Sequence, residues 1–245
     1  MANIIQRDKT TWRLTDIIAV LFLTFVFTSV IFLLVEWIIN CLFSSNLMLL
    51  IRPLILNSIQ ALLLAGLTLL IIKIRYKVSL KDFGFNLNNS KEIIKYGIIG
   101  GILICSIITF LNNLIHILID NFFGIQAPTQ QVIQSLLSSQ NQLLFFLHSI
   151  LIILVAPLTE EIFFRGFIYP YCKVKLGKAK GIFLSGLIFG LAHSSIWLLV
   201  PTFLGGVILA LIYERTKSLY SCIIAHSIWN MIIVFLIYTI WKFSI

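Results

Sequence analysis

Long apolar runs alternate with short polar segments along the whole chain. A transmembrane helix needs about 20 mostly apolar residues to cross about 30 Å of hydrocarbon. Seven stretches reach or approach that length: residues 17–42, 53–74, 96–119, 143–168, 181–198, 200–213 and 219–241. The pattern predicts an all-α fold, a polytopic transmembrane bundle of about seven spans, because a helix satisfies its own backbone in lipid.

Composition agrees with a lipid environment. Soluble proteins are about 45–50% apolar and about 25% charged, whereas this sequence is 60% hydrophobic and 11% charged. The net charge of +9 would suggest a nucleic-acid partner in a soluble domain. In a membrane protein it reflects Lys and Arg in cytoplasmic loops. We therefore expect the lipid bilayer as a partner and no nucleic acid.

The positions of the basic residues predict an orientation. With the N-terminus in the cytoplasm, 16 of the 18 Lys and Arg residues lie on the cytoplasmic side, and only Arg52 and Lys242 lie outside. Residues 120–142 carry no Lys or Arg, so we expect this segment to lie outside the cell. We also expect a short interfacial helix within it, at 130–137. Residues 75–95 are a cytoplasmic loop rich in turn formers, and we expect a hinge or an interfacial segment there. The small size and short loops suggest a bacterial cytoplasmic membrane.

Ionisable residues inside spans are costly and are functional candidates by default. The fourth span contains Glu160, Glu161 and Arg165. Glu161 and Arg165 are four residues apart, so they share one helix face and can neutralise each other. Glu160 lies about 100° away round the helix, without that partner, and suits proton transfer. A structural ion-pair cluster at the cytoplasmic end of the helix is the alternative.

Two other spans also carry polar side chains. His193 lies in the fifth span, and His226 and Asn230 share one face of the last span because they are four residues apart. Polar groups on separate spans must find each other or water. We expect one shared polar cavity in the cytoplasmic half of the membrane, containing these groups and Glu160.

Three motifs in order, Glu-Glu-x-x-x-Arg, Phe-x-x-x-His and His-x-x-x-Asn, each fall in a separate span. This arrangement resembles the CPBP family (CAAX protease and bacteriocin-processing, also called Abi) of intramembrane endopeptidases, which includes the type II CAAX prenyl endopeptidase. The likeness covers about residues 143–231, so we divide the chain into N-terminal helices at 1–142 and a core at 143–231, within one membrane domain of residues 1–245.

The resemblance implies roles for individual residues. Glu160 and His193 would activate the attacking water, and His226 and Asn230 would stabilise the oxyanion. Glu161 and Arg165 would support Glu160, although Glu161 has also been considered catalytic in the family. The implied substrate is a peptide precursor, a prenylated tail or a membrane-protein segment that enters from the membrane or from the cytoplasm. Prenylated tails are less expected than leader or signalling peptides if the protein is bacterial.

A zinc site is the alternative to a metal-free mechanism. Glu160, His193 and His226 could supply three ligands and leave a fourth position for water. The sequence has no H-E-x-x-H motif, and Glu161, which would then have to act as the base, is paired with Arg165. We therefore favour a glutamate mechanism without a cofactor, with zinc as the second possibility.

Two non-protease functions also remain open. The chain could be a bacteriocin-immunity or membrane scaffold protein, in which the motifs serve structure alone. It could instead be a proton-coupled transporter, because buried Glu and His residues also mark proton relays. The sequence shows no internal repeat of the kind that many transporters have, which makes this the weaker reading.

Overall fold

The computed structural model describes residues 12–42, 45–125, 131–137, 139 and 142–244. Every regular element within these ranges is helical. We name the elements α1 Leu14–Leu42, α2 Ser45–Ile74, α3 Leu80–Phe83, α4 Ser90–Phe123, α5 Gln131–Leu137, α6 Gln142–Ile150, α7 Ala156–Phe163, α8 Tyr169–Leu176, α9 Lys178–Ala192, α10 Ile196–Thr216 and α11 Leu219–Ser244. Short π-helical turns join α6 to α7 and α7 to α8, so Gln142–Leu176 is one continuous helix, which we call the motif helix.

Six helices among the described residues are long and apolar enough to cross a membrane. They are Leu14–Cys41, Ile51–Ile74, Ser90–Phe123, Gln142–Leu176, Ile196–Thr216 and Leu219–Phe243. The protein is therefore a polytopic helical membrane protein, as predicted. The expected short helix after the third span is also present, as α5.

The predicted fifth span is shorter than expected. Helix α9 has 15 residues, so it rises about 22 Å, less than the roughly 30 Å of the hydrocarbon core. It ends at Ala192 because the chain turns there, with Ser194 in the left-handed region at φ 51°. The next helix begins at Ile196, four residues before the predicted start. Apolar runs lie on both sides of this turn, so hydropathy alone predicted a fifth span that is too long.

The motif helix continues through two prolines. Pro157 and Pro170 each lie just after one of the π-turns, Leu151–Val155 and Phe164–Ile168. A proline lacks its N–H and clashes with the carbonyl four residues earlier. That carbonyl belongs to a π-turn in both cases, where the wider turn can accept the proline without breaking the helix.

Small residues allow the helices to approach closely. A Cβ on Gly101 of α4 would lie 2.6 Å from the Ala225 carbonyl oxygen of α11. A Cβ on Gly206 of α10 would lie 2.9 Å from Cα of Gly186 in α9. Glycine therefore sets the spacing of α4 against α11 and of α9 against α10, as in other membrane helix pairs.

The segment after α2, which the charge pattern predicts to be cytoplasmic, is folded against the bundle. Phe83 is only 2% exposed and packs against Gly166 of the motif helix. Asn86 donates from Nδ2 to the Lys217 carbonyl oxygen at 2.6 Å, and its own carbonyl accepts a hydrogen bond from Ser218 Oγ at 2.7 Å. The segment thereby closes the turn between α10 and α11.

Candidate active site

The motif residues lie on three helices of the bundle. Glu160 and Glu161 are in α7, between the two π-turns, and Arg165 is in the second turn. His193 follows the last residue of α9, and its backbone N–H closes the end of that helix. His226 and Asn230 lie in α11, which packs against the motif helix.

Glu161 is the centre of a fully buried polar cluster. Its Oε1 accepts hydrogen bonds from Arg165 Nη1 and from His226 Nδ1, both at 2.9 Å. Glu161 and Arg165 have no exposed surface, and His226 is 3% exposed. The predicted Glu161–Arg165 pair is therefore present. The bond to His226 was not predicted, because the two residues come from different helices and no sequence spacing relates them.

Arg165 also connects this cluster to α10. Its Nη2 donates to the Gly206 carbonyl oxygen at 3.1 Å, and its guanidinium carbon lies 4.4 Å from the centre of the Phe189 ring. Such a cation–π contact is strong when water is excluded. Pairing and hydrogen bonding offset much of the cost of burying these charges, while Glu161 Oε2 and Arg165 Nε have no hydrogen-bond partner.

Phe189 brings the two histidines close together. Its ring centre lies 4.8 Å from that of His193 and 5.8 Å from that of His226. His193 Nδ1 bonds to the Phe189 carbonyl oxygen at 2.8 Å. A carbonyl can only accept, so Nδ1 carries the proton and Nε2 of a neutral His193 is a proton acceptor.

Glu160 has the features of an available base. It is half-buried, and its Oε2 is shielded from solvent without a hydrogen-bond partner. Buried polar atoms are almost always hydrogen-bonded. An unpartnered carboxylate oxygen in the motif helix is therefore a place where a water molecule or a substrate group can bind.

Asn230 is held by the first π-turn. Its Nδ2 donates to the Ile152 carbonyl oxygen at 2.8 Å. A side-chain amide nitrogen has two N–H groups, so one remains for another acceptor. His226, one helical turn away, stacks on Trp229 with ring centres 5.1 Å apart. The sequence analysis did not identify Trp229 as a site residue, although it lies between His226 and Asn230 in the sequence.

The described residues do not form a metal site. No group of three or more His, Cys, Asp or Glu side chains among them has an arrangement that could hold a metal ion. His226 Nδ1 and His193 Nδ1 are both engaged in hydrogen bonds. These bonds leave the Nε2 atom of each histidine available as a proton acceptor or as a metal ligand, so the metal-free mechanism stays a prediction and zinc stays the second possibility.

A groove elsewhere in the molecule should not be mistaken for the active site. It measures about 480 Å³ and is lined mainly by α6 and by the end of α11, including Phe145, Phe146, Tyr238 and Trp241. The lining is mainly apolar, and none of the motif residues contributes to it. The polar cavity that the sequence predicts around the motif residues stays a prediction.

Comparison with known proteins agrees with this site. Residues 142–232 match the family model described as type II CAAX prenyl endopeptidase Rce1-like. The matched segment starts with the motif helix and ends just after Asn230, so it contains all six motif residues. No curated protein and no solved structure matches the chain.

The helical bundle and the family match together support a membrane-embedded protease. The match over residues 142–232 supports a relation to the CPBP family, the CAAX proteases and bacteriocin-processing enzymes, and with it CAAX-type intramembrane protease activity.

Proposed function

We propose that this protein hydrolyses a peptide bond within the membrane with water activated by Glu160 and His193. The observation that carries the proposal is the unpartnered buried Oε2 of Glu160, which precedes Glu161 in the chain. Glu161 bonds to His226 Nδ1, and His193 Nδ1 bonds to a backbone carbonyl. Carboxylate and imidazole acceptors can together remove a proton from water. The resulting hydroxide adds to the substrate carbonyl carbon.

His226 and Asn230 would stabilise the oxyanion that forms in this step. Arg165 is always charged, so its partner Glu161 is a carboxylate, and a carboxylate only accepts hydrogen bonds. Nδ1 of His226 therefore carries a proton. Donation from Nε2 to the oxyanion requires a proton on that nitrogen as well.

The remaining N–H of Asn230 would supply the second oxyanion donor. Such donors stabilise developing charge strongly where water is excluded. The proton taken from water then passes to the leaving nitrogen, the C–N bond breaks, and a carboxylic acid and an amine form. The acid then ionises and its proton goes to the amine. No step of this scheme requires a metal.

The same proposal places the protein in a bacterial cytoplasmic membrane with its N-terminus in the cytoplasm. The clustering of Lys and Arg residues on one side supports that orientation. The substrate is a peptide precursor or membrane-protein segment, and a prenylated tail is the second candidate within the same chemistry.

The experiment is a comparison of membrane peptides by mass spectrometry from cells with wild-type protein, Glu160→Gln or Glu36→Gln. We expect Glu160→Gln to abolish the wild-type fragments, because the amide cannot accept a proton, while it keeps the size of the side chain. Glu36 lies near the C-terminal end of α1, 3.9 Å from Arg52. Its substitution should leave cleavage unchanged.

Synthetic peptides then separate the substrate classes. A peptide derived from a detected fragment is offered to purified protein with and without a farnesyl group. Cleavage of the unmodified form supports the precursor-peptide assignment, and cleavage of the farnesylated form alone supports the prenylated one. Equal fragment profiles for wild type and Glu160→Gln, with both proteins expressed, would contradict the protease proposal.

A further inference from the structure

The residues that precede the first span reach the motif helix directly. Trp12 is 9% exposed and donates from Nε1 to the Phe167 carbonyl oxygen at 2.9 Å. Its ring centre lies 5.4 Å from that of Phe167, which is fully buried. Phe167 belongs to the same π-turn as Arg165, which bonds to Glu161.

In both π-turns of the motif helix, a side chain from another part of the protein donates a hydrogen bond to a backbone carbonyl. The first has its Ile152 carbonyl bound by Asn230 of α11, and the second has its Phe167 carbonyl bound by Trp12. A π-turn interrupts the regular hydrogen-bond pattern of an α-helix and is often found at functional sites. The short segment that carries Glu160 and Glu161 lies between these two fixed points.

Phe83 supports the same turn from the cytoplasmic segment. A Cβ at Gly166 would lie 2.4 Å from Cζ of Phe83, so the ring packs directly on the backbone next to Arg165. Phe83 also contacts Trp12, with ring centres 6.4 Å apart. The second π-turn therefore has two aromatic side chains behind it and the Arg165 ion pair within it.

A separate set of bonds anchors the same N-terminal residues without touching the motif helix. Asp16 accepts hydrogen bonds from the Arg75 guanidinium and the Tyr76 hydroxyl, and from the backbone N–H of Arg13 at 2.9 Å. Burial and the hydrogen bond to Asp16 raise the pKa of Tyr76, which keeps its hydroxyl protonated as a donor. This anchor supplies a control, because it can be weakened while the Trp12–Phe167 bond stays intact.

We propose that Trp12 is a positioning residue for the active site. Its indole N–H fixes the second π-turn and thereby holds Arg165, and through it Glu161 and His226, in the arrangement that the reaction needs. The inference rests on the proposed function, because it assigns a role in that chemistry to a residue outside the matched segment 142–232.

The test replaces Trp12 by Phe, which removes the N–H and keeps an aromatic ring. Trp241→Phe is the matched control, since Trp241 is 4% exposed and donates from Nε1 to the Ser139 carbonyl oxygen at 3.1 Å, away from the motif residues. Tyr76→Phe is the second control, because it weakens the Asp16 anchor alone. Each variant is compared with wild type by thermal unfolding, by kcat and KM, and by NMR.

The NMR readout does not depend on activity. Protein labelled with ¹⁵N-histidine in lipid nanodiscs has four histidines, and the His226 signal is identified by its loss in His226→Gln. The Nδ1 shift reports the hydrogen bond to Glu161. We expect Trp12→Phe to move this signal and to lower kcat about tenfold with KM within about twofold, as for a small misplacement of catalytic groups.

Both controls should leave the His226 signal and kcat as in wild type, whatever they do to the melting temperature. If Trp12→Phe does not fold, Phe83→Leu replaces it, and we expect a smaller change of the same kind. An unchanged His226 signal and kcat in a folded variant would overturn the proposal. A shifted signal in a protein whose wild type cleaves nothing would support the positioning role and contradict the protease function instead.

Discussion

Single residues in the buried cluster depend strongly on one another. Glu161 has no exposed surface, and its Oε1 is shared by Arg165 and His226. Removing one partner of a buried ion pair costs about 3–5 kcal/mol, because the other charge is left uncompensated, whereas replacing both can be nearly neutral. Exposed pairs contribute little by comparison.

We therefore expect Arg165→Gln to lower the stability of the protein by about 3–5 kcal/mol. The double variant Glu161→Gln/Arg165→Gln should recover much of this loss, since it leaves no unpaired charge. Equilibrium unfolding in mixed detergent micelles measures both. Arg52→Gln is the control, because its pairing with Glu36 is long and half exposed. A single variant as stable as wild type would show that the pair is not coupled as described.

At the scale of helices, the site depends on how closely α4 approaches α11. His226 is the residue after Ala225, whose carbonyl oxygen would lie 2.6 Å from a Cβ on Gly101. That distance is far below an ordinary contact, so any larger residue at Gly101 must move one helix. Gly66 in α2 has nothing within 4 Å of an added Cβ, so a larger residue at this position need not move a helix.

We expect Gly101→Ala to destabilise the protein by about 1–3 kcal/mol through overpacking and to reduce cleavage, because it displaces His226. Gly66→Ala should be neutral or slightly stabilising, since alanine favours helices. Thermal unfolding and cleavage rates of the two variants are compared side by side. Equal effects at both positions would mean that glycine at 101 does not set the helix spacing.

At the scale of the whole molecule, the distribution of charge predicts an orientation that can be measured directly. Asp120 is exposed near the end of α4, on the side predicted to be external, and Lys178 is exposed at the start of α9, on the cytoplasmic side. Cys105, Cys172 and Cys222 are buried, so Cys41 is the exposed native cysteine of the described residues.

In a Cys41→Ser background, we expect Asp120→Cys to react with a membrane-impermeant maleimide in intact cells. Lys178→Cys should react only after the cells are permeabilised. Cytoplasmic Lys and Arg residues determine orientation during insertion, which is the physical reason. The opposite labelling pattern would reverse the proposed topology and place the active site toward the outside.

Much of the architecture could be predicted because its causes are local. Apolar runs long enough to cross a bilayer predict spanning helices, and the spacing of Glu161 and Arg165 predicts their pairing, since four residues are about one helical turn. The length of α9 could not be predicted in this way. Its end depends on the turn at Ser194, and the polar stretch 193–195 is too short to interrupt the apolar runs on either side of it.

The sequence by itself determined which residues are polar inside the membrane, which helices can span it and which family motifs are present. The tertiary structure alone decided the partners of those polar residues. His226 meets Glu161, Asn230 binds the Ile152 carbonyl and Trp12 binds the Phe167 carbonyl across separations of 65, 78 and 155 residues. Such contacts depend on helix packing and on backbone carbonyls that π-turns make available, and neither leaves a periodic pattern in the sequence.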